Sequence, residues 1–301
     1  MSEENRISSC DGGGSVCETQ AAGLNHYTET YSAKMAEFIS GLKFSDIPKD
    51  VVEKAKLLVL DTLGVALAAA REDFTRIVRD VAKGMKGPAE SSVWGSKARL
   101  PMANAVLING TMAHGFDFDD MHRAASSHMS VVAVPTALAV AEKHKLSGKE
   151  TLAAIVAGYE VGARIGLAAQ RKLLSRGWHP TAVFGTFTAA AVASKLLGLD
   201  APKTAAALGI AGSQTSGLAQ WIEEGSWTKR MHPGWAAHSG ILASLFAFNG
   251  FGAPAKIFEG VHGLYRAFLR EGNFDLEELT RELGRRWETT QICIKVYPAG
   301  Y

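Results

Sequence analysis

Six segments of this chain, 101–114, 129–145, 149–170, 180–198, 201–219 and 233–250, are rich in Ala, Leu and Gly and run to helical length. Small side chains let helices approach one another closely. The pattern therefore points to a mainly α fold built by packing helix on helix. Three further segments support it. Residues 31–42 place Met35, Phe38, Ile39 and Leu42 on one face at helical spacing. The long apolar stretch 45–70 carries Asp46 as an N-cap and Pro48 in the first turn. FTRIVRDVAKGM is a shorter amphipathic helix. ESSVWGS (90–96) reads as a hairpin arm and LEELTRELG as a short polar helix. WETTQICIKVYPAGY alternates β-branched and polar residues, which reads as a strand before a Pro turn, with no partner strand near it in sequence.

With 301 residues, 47% of them hydrophobic and 21% charged, there is ample chain for a core. The 32 basic and 30 acidic residues leave a net charge of +2 and form no block of one sign. That balance excludes a nucleic-acid surface or an anionic membrane as partner. The longest apolar runs, ILASLFAF and LLVLDTLGVALAAA, are too short or are interrupted by Asp61, so neither is a membrane span. Cys10, Cys17 and Cys293 make no disulfide framework, which fits a reducing, cytoplasmic compartment. The first 24 residues have no apolar h-region and read as a disordered tail.

Between two apolar helices lies HGFDFDDMHRAASSH, from His114 to His128. Three carboxylates (Asp117, Asp119, Asp120) and three imidazoles (His114, His122, His128) crowd into it. Charge is costly to bury unless it is paired or used, so this is the first candidate for acid–base chemistry or for binding a cation or polar substrate. The bland alternative is a solvated loop with Asp120 capping a helix. A metal site is conceivable from the donor types. A DDxxD-like magnesium–diphosphate site fails, because the run is DDMHR and no second acidic cluster follows. We expect no metal.

Two further groups stand ahead of apolar helices. His179 precedes Pro180, near a helix N-terminus where anions are favoured. Lys229, Arg230 and His232 precede Pro233-Gly234, an arrangement suited to anions. Lys295 is a single Lys on the expected strand. Each alone reads as packing or solvated charge. Together they converge on a small polycarboxylate as ligand. Neither GxGxxG, Walker-A nor GxSxG occurs in a usable place.

Several motifs in order, VLDTLGVALAA, NGTMAHGFDFDD, SSHMSVVAVPTALAVAE, GYEVGARIG, GWHPTAVFGTFTAAAVASKLLGL, GSWTKRMHPGWAAHSG and KVYPAG, resemble the MmgE/PrpD family. That family includes 2-methylcitrate dehydratase, cis-aconitate decarboxylase and iminodisuccinate epimerase. The resemblance implies a large all-α domain, a smaller α+β lid domain, a homodimer, and chemistry without a cofactor at a carbon next to a carboxylate. It makes Asp117, His128, His179 and Lys229 the catalytic candidates. Lys295, His232 and Met121 become substrate-binding candidates. Asp117 is expected to orient a His or a substrate hydroxyl. Met121 stands where the cis-aconitate decarboxylases carry Thr, and Gly300 where they carry His. Family members continue beyond Tyr301 and use a later Tyr without a counterpart here. The expected organisation is a tail over 1–24, a helical domain over 25–285, and the first strand of a lid over 286–301. The expected activity is a dehydratase or decarboxylase acting on a small polycarboxylate such as 2-methylcitrate or cis-aconitate. The alternatives are a dicarboxylate epimerase and an inactive helical dimerisation module.

Overall fold

A computed structural model describes residues 29–270 and 273–298. The expected tail over 1–24 and the position of Gly300 lie outside these residues. Helix accounts for 63% of the structure and strand for 4%, so the fold is mainly α.

In chain order the helices are α1 (Tyr31–Gly41), α2 (Lys49–Ala68), α3 (Asp73–Gly84), α4 (Met102–Ala113), α5 (Ser130–His144), α6 (Gly148–Ala168), α7 (Pro180–Leu196), α8 (Ala201–Gln214), the single turn α9 (Trp221–Glu224), α10 (Thr228–Phe248) and α11 (Leu264–Leu269). A hairpin joins β1 (Ser91–Ser92) to β2 (Arg99–Leu100), as the 90–96 segment suggested. The second sheet pairs β3 (Met121–His122) with β4 (Ile292–Cys293), antiparallel.

Helix α7 is the centre. Every residue of it except Lys195 is buried, and it packs against α5, α6, α8 and α10. An all-round apolar helix can only be stable when other helices enclose it. Helix α4 is likewise buried along its whole length. Buried hydroxyls return their protons to the preceding turn, as Thr111 does to the Leu107 carbonyl at 2.7 Å. Among the described residues α6 alone is long and apolar enough to cross a membrane, and 89% of that stretch is buried inside the protein.

One crossing matters for the site. A Cβ added to Gly234 of α10 would stand 2.2 Å from the Leu107 carbonyl oxygen of α4, and one added to Gly110 would meet the Gly234 Cα at 2.7 Å. Glycine at both positions lets the two backbones touch. The contact sets the N-terminal turns of α10 beside the C-terminal end of α4.

Four sequence expectations need correction. Asp46 closes a 3-10 turn (Phe44–Asp46), and Pro48, not Asp46, occupies the N-cap of α2. Helix α10 starts at Thr228 and runs through Pro233, so Lys229, Arg230 and His232 are inside the helix, not ahead of it. Tertiary contacts hold that extra turn: Arg230 Nε donates to the Gly115 carbonyl at 2.8 Å, and its guanidinium lies 5.1 Å from the Phe74 ring centroid. Helix α8 stops at Gln214, five residues short of 219, because Gly217 (φ +118°) turns back and its carbonyl accepts the His179 N–H at 2.9 Å. Finally, the segment LEELTRELG is a 3-10 turn over Leu276–Leu279 followed by turns.

The expected strand near the end is two residues long and is not partnerless. It pairs with the Asp/His loop, 172 residues away in sequence at the Met121–Cys293 pair. A buried ionic hub beneath it fastens the segment. Glu160 accepts from the N–H groups of Glu288 (3.0 Å) and Thr289 (2.8 Å) and pairs with Arg164, and both side chains are fully buried. Glu288 reaches His122 Nε2 at 3.0 Å, which ties the segment to the loop.

Candidate active site

Helix α4 ends at Ala113 with His114 as its C-cap, and α5 begins at Ser130. The loop between them is folded into the protein. His114, Asp119, Asp120, His122 and His128 are all buried. Asp117 is half-buried and sits at φ +53°, a left-handed conformation that Asp tolerates better than most side chains.

Asp117 is where the two lysines meet. Lys229 Nζ lies 2.6 Å from Oδ2, and Lys295 Nζ lies 2.9 Å from Oδ1 and 2.8 Å from the Asp117 carbonyl oxygen. One lysine comes from α10 and the other from the segment after β4. Burial by itself would raise the Asp117 pKa. The Lys229 hydrogen bond and charge, with help from Lys295, outweigh it and hold the carboxyl at about 2. Asp117, expected to orient a His or a substrate hydroxyl, holds two lysine ammonium groups in this structure.

Asp119 takes the orienting position. Both its oxygens lie 3.0 Å from His114 Nδ1, and Oδ2 lies 2.7 Å from His128 Nδ1. Burial opposes its charge, but the two imidazoles hold its carboxyl well below the usual range. The Asp120 side chain is held by Ser130, while its backbone carbonyl lies 2.8 Å from His128 Nδ1. The carboxyl group accepts from the Ser130 N–H at the start of α5 and from the Ser130 hydroxyl, which also contacts the Tyr159 hydroxyl at 2.7 Å. Burial, reinforced by the neighbouring Asp119 charge, pushes Asp120 up to about 7 against the pull of Ser130.

The imidazoles form a continuous cluster. Ring centroids are 4.8 Å apart for His114 and His128, 5.7 Å for His114 and His179, and 5.2 Å for His179 and His232. The Nδ1 atoms of His179 and His232 are 3.0 Å apart, so a single proton sits between them. His179 is the N-cap of α7, with Pro180 following as the sequence implied. Burial drives His114 and His179 down, drives His232 down to about 4, and the positive charge of neighbouring groups adds to the effect on His179 and His232. His114, His179 and His232 are thus neutral imidazoles ready to take protons once an anion arrives.

A hollow of about 220 Å³ opens on this cluster, lined by His114, Asp117, Trp221, Lys229 and Arg230 among others. The Lys229 ammonium stands 4.7 Å from the Trp221 ring centroid. A larger groove of about 460 Å³, bounded by residues such as Ala33, Ala206 and Phe251, is mostly apolar and lies away from the cluster. Donor atoms of His114, Asp117, Asp119 and His128 fall within 4.8 Å of one another, close enough for a cation. Both Asp117 oxygens already face lysine ammonium groups and both Asp119 oxygens face imidazole nitrogens, which argues against a cation there.

The structure thus gathers Asp117, His128, His179, Lys229, His232 and Lys295 into one place. Met121 is buried in the β3–β4 ladder, and it does not border the hollow. Sequence reasoning singled out the Asp/His loop but did not separate the roles of Asp117 and Asp119. It missed Trp221, which no local pattern marks.

A compact helical domain with a buried Asp–His–Lys cluster at the crossing of two helices defines the class of protein. The MmgE/PrpD N-terminal domain profile matches residues 33–277, and the chain belongs to the MmgE/PrpD family. It is 35% identical over 279 residues to the cis-aconitate decarboxylase-like protein oryM of Aspergillus oryzae, which covers 88% of this chain and 58% of that protein. It is 33% identical to a cis-aconitate decarboxylase of Aspergillus terreus (88% of this chain, 56% of that protein) and 34% identical to that of Homo sapiens (92% and 57%). The chain spans 56–58% of the length of these relatives.

Proposed function

We propose that this chain carries the acid–base and anion-binding centre of a cofactor-independent lyase that acts on a small polycarboxylate, with cis-aconitate as the first candidate and 2-methylcitrate as the second. One observation carries the reading. Two lysines from distant parts of the chain converge on Asp117 beside four touching imidazoles. Substrate carboxylates exchange into the lysine contacts that Asp117 keeps in place, and Lys229 and Lys295 hold them by charge. The dianion or trianion also favours protonation of the neutral imidazoles around it.

Loss of carbon dioxide breaks one carbon–carbon bond. Its electron pair shifts toward a neighbouring carbon, and that carbon takes a proton from an imidazolium, for which His128 or His179 is placed. The lysines stabilise the negative charge that builds up on the remaining carboxylate. The names of the curated relatives favour decarboxylation over dehydration. A second copy of the chain is the partner this reading takes.

The test is turnover. Incubate the chain with cis-aconitate and with 2-methylcitrate and follow carbon dioxide and the organic product by NMR. Release of carbon dioxide from cis-aconitate, reduced at least about 10²-fold in His128→Ala and in Lys229→Ala, is the expected result. Turnover that survives both substitutions refutes the assignment of these residues.

A further inference from the structure

We infer that Asp119 is a shared positioning carboxylate that holds His114 and His128 in one tautomer, with the proton on Nδ1 and a lone pair on Nε2, and that His114 is thereby a second imidazole through which this site binds its ligand. A carboxylate can only accept hydrogen bonds. His114 Nδ1 faces both Asp119 oxygens at 3.0 Å. His128 Nδ1 faces Asp119 Oδ2 at 2.7 Å and the Asp120 carbonyl oxygen at 2.8 Å. A nitrogen surrounded by acceptors alone must carry its proton, so each ring is fixed in the form that a neutral histidine in water favours less. Each Nε2 then points away from Asp119. The ring planes stand 66° apart, so the two lone pairs diverge from a common base.

His114 Nε2 is buried and has no hydrogen-bond partner among the described residues. Leaving such an atom unpaired costs about 1–3 kcal/mol, and native structures rarely do so without a use. The same residue lines the 220 Å³ hollow, together with Lys229 and Trp221, whose indole N–H is also buried and unpaired among the described residues. A bare acceptor, a bare donor and an ammonium around one hollow are complementary to an acid that offers both carboxylate oxygens and a transferable proton. The identity of that ligand rests on the polycarboxylate reading above; the tautomer assignment does not. If His114 is only a core side chain stacked on His179, Asp119 has no need to fix its proton, and His114 Nε2 has no ligand to meet.

The experiment labels the nine histidines of the chain with 15N and reads protonated against bare ring nitrogens by long-range 1H–15N correlation, with His114→Gln and His128→Gln used for assignment. The ligand-free protein is expected to show both rings protonated on Nδ1. In Asp119→Asn one of them should switch to Nε2, because an amide offers one acceptor and one donor where the carboxylate offers two acceptors. Either ring found protonated on Nε2 in the unsubstituted chain, or both unchanged in Asp119→Asn, overturns the positioning role. Saturating cis-aconitate should then move the Nε2 resonances of both rings. Movement of His128 alone overturns the binding role of His114 and leaves the polycarboxylate reading standing. Movement of neither, with the tautomers as expected, refutes polycarboxylate binding at this cluster.

Discussion

Gly234→Ala is the substitution whose effect follows most directly from the packing. The new methyl would lie 2.2 Å from the Leu107 carbonyl oxygen and 2.8 Å from Thr111 Oγ1. The nearest atom is backbone, so no side chain can swing aside, and helices α4 and α10 must part by about 1 Å. Forcing a methyl into a closed interface costs about 1–3 kcal/mol, and this contact lies at the upper end because main chain must move. For a chain of this size each kilocalorie lowers the melting temperature by about 2–4 °C. The same displacement carries Lys229 away from Asp117, and a shift of about 1 Å at a reacting centre can cost on the order of 10²-fold in rate. Urea unfolding followed by circular dichroism measures the stability term. Gly64→Ala is the control, on the exposed face of α2 with no described residue within 4 Å of the added Cβ; it should stabilise by about 0.5–1 kcal/mol. A Gly234→Ala protein within about 0.5 kcal/mol of the parent would refute the claim that backbone contact at this crossing sets the site.

Two other outcomes follow from buried charge. His232 titrates at about 4 in the folded chain against an ordinary 6.5, so the unfolded state binds its proton first. Its contribution is fully present above pH 6.5 and is lost as the pH falls toward 4, about 2 kcal/mol between pH 7 and pH 5; unfolding midpoints of His232→Gln should be correspondingly less steep over that interval. Glu160→Gln leaves the fully buried Arg164 without its counter-charge. It should destabilise by about 3–5 kcal/mol in urea unfolding and raise amide hydrogen exchange over 288–295 more than in α7.

The helices were legible because α4 and α7 are apolar on every side and only burial can accommodate that. Their ends were less so. Pro233 reads locally as a helix start, yet contacts from Arg230 to Gly115 and Phe74 extend α10 a turn ahead of it. The Asp/His loop announced itself through the cost of burying its charges. Which Asp does what could not be read there, because Asp117 and Asp119 differ only in the partners that distant elements bring: lysines from α10 and from beyond β4 for one, imidazoles for the other. The β3–β4 pairing, and with it the placement of Lys295, joins segments too far apart in sequence for any local pattern to predict.

The central claim is that Lys229, Lys295 and the histidine cluster form a polycarboxylate site, and calorimetric titration of the chain with cis-aconitate tests it most directly. Saturable binding at one site is expected, weakened at least about tenfold in Lys229→Met, a loss on the scale of one charge-assisted hydrogen bond, and absent with acetate. No binding heat and no thermal stabilisation at millimolar cis-aconitate, or equal binding by Lys229→Met, would contradict it.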